Sequence, residues 1–389
     1  MKYIIQCCLL VLLSACQNTN TVKYSNVNNT LYLDTKFPNY QSINLESSQD
    51  VFAIDEDMKL MVKTKLIPER DTKKRALKLL KHIFSKDNID LDYRSGANIT
   101  AIDAYHSQQA NCLSLTIMAY VLAKESGLNI SFQDVEIPEY WVRNGKYNLL
   151  TGHVNLVITK APVNNKLVVW GNELLQIDFD PYVIKKSFPR KKIDKTAVLA
   201  MFYNNKGAQA LIDFDYTKAY AYFREATTIA PDFDVSWGNL GILYRLSGYT
   251  ELSIKTYQYA IALDGKNLTA MSNLAIALTL QGETEEVLKI QKKLHGKRVK
   301  NPYYHALLAD EAFYDGDTRT AIKHYKSAIK LDKSIHEFYF GLAKVYYKVN
   351  QLALAKKSMA RAIKLNKGRH NEEQYIAKLN FLKKAELSY

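Results

Sequence analysis

Asp234-Val-Ser-Trp-Gly-Asn-Leu-Gly-Ile-Leu-Tyr-Arg-Leu-Ser-Gly248 is the stretch on which the reading of the fold turns. Trp237, Leu240, Gly241 and Tyr244 recur at helical spacing, and Gly248 stands where a helix ends in a left-handed residue. Moved by 34 residues the pattern returns, so that Ala200, Asp234, Leu268, Pro302 and His336 superimpose. The small residue of the first helix falls at Gly207, Gly241, Ala275, Ala309 and Ala343. Gly248, Gly282 and Gly316 separate the two helices of successive units, with Asn350 in their place in the last. A second helix repeats Ala219, Ser253, Val287, Ala321 and Ala355, then Ala226, Ala260, Ala328 and Ala362. Small residues recur where neighbouring helices approach closely.

This register resembles the tetratricopeptide repeat, with five units over residues 200–369 and a capping helix over 370–389. The second unit stands closest to the family pattern, and Pro231 closes the first. The third matches least in its second helix, at Gln291 and Leu294. The resemblance implies an all-α solenoid whose concave face binds an extended segment or a partner protein.

Upstream, Ala110-Asn-Cys-Leu-Ser-Leu-Thr-Ile-Met-Ala-Tyr-Val-Leu-Ala-Lys-Glu-Ser-Gly127 reads as one helix. Leu113, Ile117, Tyr120 and Val121 keep its spacing, Asn111 is a good N-cap, and Gly127 ends it. Cys112 then lies in the first turn, where the positive end of the helix dipole favours a thiolate, the nucleophilic form. A small buried hydrophobe is the other reading of a lone cysteine. Gly152-His-Val-Asn-Leu-Val-Ile158 reads as a strand that opens on His153, with Val154, Leu156 and Ile158 on one face. After a turn at Asn164-Asn165, Lys166–Trp170 reads as a second strand. Leu174–Pro181 reads as a third, with Ile177 and Phe179 opposite Asp178 and Asp180. A nucleophile, a base and a group to orient the base follow in that order. Gln108 and Gln109 stand close enough to Cys112 to donate to an oxyanion, or are polar loop residues. Ile130–Ile137 is expected to be a strand and Pro138–Gly145 a long loop, whose Tyr140 and Trp141 either wall a cleft or serve packing.

Asn111-Cys-Leu-Ser with its helix, His153-Val-Asn and Ile177-Asp-Phe-Asp-Pro181 together resemble the transglutaminase-like superfamily, a branch of the papain-like cysteine fold, over roughly residues 70–185. The resemblance implies an α+β papain-like/transglutaminase-like domain over 49–195. In it Cys112 would be the nucleophile, His153 the general base and Asp178 the orienter, with Asp180 as the alternative orienter. Asn111 stands where the family often has glycine, and Val154 and Asn155 follow the histidine without the aromatic residue often found there. Members include proteases and amide transferases.

The first sixteen residues join a short basic start to an apolar run and small residues, the outline of a secretory signal too short for a membrane span. Leu13-Ser-Ala-Cys16 resembles a bacterial lipobox, which implies a signal peptide over 1–15, lipid on Cys16, and a flexible tether over 16–48 rich in Asn, Ser and Thr. Gln17 in place of an aspartate favours the outer membrane, with the protein facing the periplasm. Of four cysteines only Cys112 then remains as a thiol, so no disulfide framework or zinc cluster is expected, and no cofactor. Thr72–Phe84 reads as an amphipathic helix with Ala76, Leu77, Leu80 and Phe84 inward and Lys73, Lys74, Lys78 and Lys81 solvated.

The net charge of +14 is uneven, since Arg319 to the end holds 16 Lys and Arg against 5 Asp and Glu. That end suits an anionic envelope component or an acidic partner, or is a solvated face. Nucleic acid is not expected outside the cytoplasm. Two functions follow. One is an envelope-anchored cysteine enzyme that cleaves or transfers at peptide or amide bonds, with repeats presenting the substrate. The other is a non-catalytic lipoprotein scaffold whose repeats recruit envelope proteins.

Overall fold

A computed structural model of the protein describes residues 28–84, 92–93, 96–144, 147–150, 152–159, 173–179 and 188–366. The signal segment, Cys16, the strand expected over 166–170, Asp180 and the cap expected over 370–389 lie outside the described residues. After three 3-10 turns (Asn28–Leu31, Asp34–Lys36 and Tyr40–Ser42) come α1 (Ser48–Val51), α2 (Glu56–Met61), a π-helical turn (Val62–Leu66) and α3 (Thr72–Phe84). Then come β1 (Asp92–Tyr93), α4 (Ala101–Ser107), β2 (Gln109–Ala110) and α5 (Cys112–Glu125). Six strands follow: β3 (Asn129–Val135), β4 (Trp141–Asn144), β5 (Tyr147–Leu150), β6 (Val154–Thr159), β7 (Glu173–Ile177) and β8 (Arg190–Ile193).

Ten helices complete the described chain in five antiparallel pairs: α6 (Lys195–Ile212) with α7 (Tyr216–Ile229), α8 (Asp234–Leu246) with α9 (Thr250–Leu263), and α10 (Leu268–Gln281) with α11 (Thr284–Arg298). The last two are α12 (Pro302–Tyr314) with α13 (Thr318–Leu331), and α14 (His336–Lys348) with α15 (Leu352–Asn366). The molecule is thus mostly helical, a repeat solenoid preceded by a smaller mixed region.

In that region α5 is apolar on nearly all sides, as a helix in the centre of a core must be. Leu115, Ile117, Met118 and Leu122 are all buried. It packs on a four-stranded sheet of order β7-β6-β3-β8, antiparallel at every step. Phe132 pairs with Leu156 and Leu156 with Ile177, carrying one apolar row across three strands into the core. α3 lies turned from the orientation expected, with Ala76, Leu79 and Ile83 inward and Leu77 exposed. The adjacent leucines at 79 and 80 allow either stripe, and packing selects between them. The loop expected over 138–145 instead enters a hairpin, β4 pairing with β5 from Trp141↔Leu150 to Asn144↔Tyr147. Gly145, between the paired Asn144 and Tyr147, is the sequence signal for such a hairpin, and it outweighs the proline at 138 that suggests a loop.

The repeat register is visible in the backbone. Residues 214, 248, 282, 316 and 350, 34 apart, all take positive φ, at 62°, 86°, 82°, 84° and 59°. The first of these is Phe214, which the glycine pattern does not announce. At Gly207 a Cβ would come within 2.7 Å of the Phe223 ring, and at Gly241 within 2.6 Å of the Tyr257 ring. In the third unit the second helix has Gln291 exposed and Leu294 buried.

The first repeat helix starts ahead of the period. α6 begins at Lys195, where the Asp194 side chain accepts from the Ala197 amide. Val198, Phe202 and Tyr203 lie in the same core as α5, so α6 belongs to both halves of the molecule. Residues 28–46 depart from the free tether expected of them, because their aromatic residues dock on the repeats without any helical or strand period of their own. Leu31 and Phe37 are buried among Tyr220, Trp237 and Tyr244. Phe37 stacks on Tyr220 at 4.3 Å, the Tyr244 hydroxyl donates to the Leu31 carbonyl at 2.7 Å, and Asp34 accepts from Tyr220 at 2.6 Å.

Candidate functional site

Cys112 is the first residue of α5, and the turn it opens is strongly held. The Asn111 side chain accepts from the Ser114 amide at 2.9 Å as the N-cap. Ser114 Oγ donates to the Ile99 carbonyl and accepts from the Ile99 amide, at 2.9 and 2.8 Å. Asn111 Nδ2 reaches Asn98 Oδ1 at 3.4 Å, and Asn98 Nδ2 donates to the Phe202 carbonyl of α6 at 3.0 Å. The cap of the cysteine helix is therefore tied through one buried asparagine to the first repeat helix. Sequence spacing does not single out Asn98, since nothing local sets it apart from a loop residue.

The start of β6 lies against the same end of α5. Thr116 Oγ1, one turn beyond the cysteine, donates to the Cys112 carbonyl at 2.7 Å and approaches the Val154 carbonyl at 3.3 Å. His153, immediately before that strand, is buried, and its Nε2 meets Asp178 Oδ1 at 2.8 Å. Both side chains are out of solvent, 3% and 1% exposed. The other carboxylate oxygen accepts from Asn155 Nδ2 at 3.1 Å and from Gln176 Nε2 at 3.4 Å.

Asn155 is two residues beyond His153 along β6, and its partner Asp178 follows the last residue of β7, so the two strands bring the three together. The alternation His153-Val-Asn155 is the sequence signal for this second contact, since it puts both polar side chains on one strand face. Asn155 Oδ1 is buried with no hydrogen-bond partner among the described residues. Across β3, the Asp134 carboxyl is pushed above the usual range by burial, with Glu136 adding to the effect.

The structure thus joins His153 with Asp178 and ties the strand that follows His153 to α5 one turn beyond Cys112. Asp180 lies outside the described residues. Gln108 is exposed, in a left-handed conformation that ends α4. Gln109 is half-buried in β2, paired with Asp92. Tyr140 and Trp141 turn from the cysteine region to the repeats, where they pack beside Tyr303 and Phe338. Among the described residues no group of three or more His, Cys, Asp or Glu could hold a metal ion, and no helix is long and apolar enough to cross a membrane.

Comparison with known proteins matches the second half. A family model described as TPR repeat matches residues 309–350, and one described as tetratricopeptide repeat matches residues 336–369. The uncharacterized protein ycf37 of Cyanophora paradoxa is 31% identical over 91 residues, which cover 23% of this chain and 52% of that protein. The chain thus spans about half the length of this curated relative. Among solved structures, the APC/C hetero-tetramer Cut9–Hcn1 is similar at 20% identity and a TM-score of 0.29, covering 48% of this chain and 37% of that one. TTC0263, a thermophilic TPR protein of Thermus thermophilus, is similar at 17% identity and a TM-score of 0.32, covering 47% and 98%. The chain carries tetratricopeptide repeats, matched over residues 309–369.

Proposed function

We propose that the repeats serve a cysteine acyl-transfer domain of transglutaminase-like, papain-like type over residues 49–195, anchored in a bacterial envelope through lipid on Cys16. The observation that carries this is the buried His153–Asp178 pair, 2.8 Å apart, directly before the strand whose Val154 carbonyl meets Thr116, one turn beyond Cys112. Asp178 holds Nε2, so Nδ1 is the nitrogen left to take the thiol proton. Cys112 Sγ then attacks the carbonyl carbon of a peptide or side-chain amide, and the C–N bond breaks as the imidazolium returns its proton to the departing amine. Water or a second amine next attacks the thioester, giving hydrolysis or transfer. Amide groups at the start of α5 favour negative charge on the sulfur before attack. Asn155 and Gln176 hold Asp178, and Asp178 holds the ring, so these three are positioning residues.

Leu13-Ser-Ala-Cys16 and Gln17 support an outer-membrane anchor facing the periplasm. The surplus of Lys and Arg after residue 319 supports an anionic envelope component as a contact at that end. The test uses the chain from Gln17 onward, in which Cys112 is the sole thiol. Its alkylation rate is followed from pH 5 to 9 beside the His153→Ala variant. A paired thiolate gives a rate that stays high below pH 7 and falls at least tenfold at pH 6 in the variant. Titration of both proteins near pH 8.5, the ordinary thiol value, would leave the repeats as a scaffold without this chemistry.

A further inference from the structure

Pro138 to Trp141, which runs from beyond β3 into the first residue of β4, does not end at the cysteine region. It crosses to the repeats and lies over the N-terminal ends of α10, α12 and α14. Glu139 is gripped on both carboxylate oxygens by Arg298, with Nε to Oε2 and a terminal nitrogen to Oε1 each at 2.6 Å. Thr269 Oγ1 donates to the same carboxylate at 3.1 Å, and Asn301 Nδ2 donates to the Glu139 carbonyl at 2.8 Å. The Arg298 guanidinium also lies 5.2 Å from the centre of the Trp141 ring. Tyr140 meets Tyr303 edge to face at 4.6 Å, and Tyr303 in turn meets Phe338 at 5.3 Å. Arg298 itself is 6% exposed. An arginine buried in a helical repeat, fully engaged by one acidic residue and faced by an aromatic side chain, is the chemistry of a recognition site.

A related but more exposed combination occurs on different helices. Arg224 of α7 pairs with Asp34 at 2.8 Å and lies 4.1 Å from the centre of the Tyr32 ring. There the occupant is also a segment of this chain, in which Asp34 opens a short 3-10 turn and the aromatic residue stands two positions before the acidic one, Tyr32-Leu-Asp34. The repeats thus set an arginine against a carboxylate and an aromatic ring at two places, in opposite chain orders, and only at Arg298 is the pair buried.

We propose that the Arg298 site recognises extended segments of the form acidic-x-aromatic, that Glu139–Trp141 fills it in cis, and that a partner protein bearing such a segment binds by displacing it. The partner is defined by chemistry: a carboxylate to replace Glu139, with an aromatic side chain two residues later to face the guanidinium. Displacement also frees the start of β4, in the connection that leads to His153, so that partner binding and the cysteine region share one segment. The recognition step is independent of whether Cys112 is catalytic.

The test uses the full chain and a fluorescent peptide of sequence Ile-Pro-Glu-Tyr-Trp-Val, that of residues 137–142. Two variants loosen the cis segment without touching the site, Glu139→Gln and Trp141→Ala. The peptide is expected to bind both at least tenfold more tightly than it binds the unaltered chain. Adding Arg298→Ala to either, or replacing the peptide's Glu by Gln, abolishes binding. Hydrogen exchange on the unaltered chain under saturating peptide gives a readout that needs no variant: residues 137–141 lose protection while the start of α12 does not. Equal affinity in all three proteins, binding that survives loss of Arg298, or no gain in exchange at 137–141 would each overturn the proposal.

Discussion

At the scale of single residues, side chains in this molecule are set by what they face. His153 and Asp178 are both removed from water, and a buried pair of this kind persists only where further hydrogen bonds satisfy it, as Asn155 and Gln176 do here. Phe214 is a case of the opposite sort. It holds the left-handed turn between α6 and α7 at φ 62°, with 58% of its surface exposed. The equivalent residue is glycine in three of the other four units and asparagine in the last. Left-handed backbone costs a residue with a Cβ about 1–2 kcal/mol, and glycine loses about 0.5–1 kcal/mol of that through its freer unfolded chain. Phe214→Gly is therefore expected to stabilise the protein by roughly 1 kcal/mol in urea unfolding. A loss of stability would mean that the ring contributes more than the strain costs.

At the scale of elements, helix starts carry charges whose environment differs from that of the free residue. Asp234, the first residue of α8, accepts from Asn267 Nδ2 at 2.6 Å. Burial pushes its carboxyl up to about 6, against the pull of the Asn267 bond. A raised carboxyl keeps its proton longer in the folded state than in the unfolded one. Its contribution is therefore present at pH 4 and is lost as pH rises toward 6. Relative to Asp234→Asn, the unaltered protein is expected to lose about 2 kcal/mol between pH 4 and pH 7, with no further change above that. Urea unfolding of both proteins at the two pH values measures it, and a constant difference would place Asp234 in contact with water. Small residues matter at this scale for another reason. Gly207 and Gly241 let the Phe223 and Tyr257 rings lie directly on the facing helix. That close approach is what the 34-residue recurrence of small residues encodes.

At the scale of the whole molecule, two stretches outside the repeats, 28–46 and 138–141, pack onto them. Residues 28–46 cover the first two units, and Glu46 accepts from Tyr222 at 2.8 Å and pairs with Lys206 at 2.8 Å. Removing residues up to 43 while keeping Glu46 uncovers Tyr220, Trp237 and Tyr244 and takes away the buried Leu31 and Phe37. Each such side chain is worth about 1.5–3 kcal/mol, so the shortened chain is expected to lose at least roughly 3 kcal/mol and to bind an apolar dye. Unchanged unfolding would mean that this segment merely rests on the repeats. The mixed region and the solenoid are also not separable at residue 200, because α6 contributes Val198 and Phe202 to the core around α5.

The sequence by itself determined what depends on neighbours along the chain. The 34-residue period, the Asn111 cap, the glycine ends and the apolar character of α5 are local in origin, and each is legible from spacing and residue type. So is the strand expected over 152–158, found at Val154–Thr159 directly after His153, whereas the strand expected over 174–181 ends four residues early, at Ile177, and leaves Asp178 beyond it. What only the tertiary structure decided are pairings between segments far apart in sequence. Asn155 on Asp178, Asn98 on the Phe202 carbonyl, Glu139 on Arg298 and Tyr32 on Trp237 join residues from 23 to 205 apart. No periodicity marks such contacts, because each partner reads locally as an ordinary polar or aromatic residue until the chain brings the other to it.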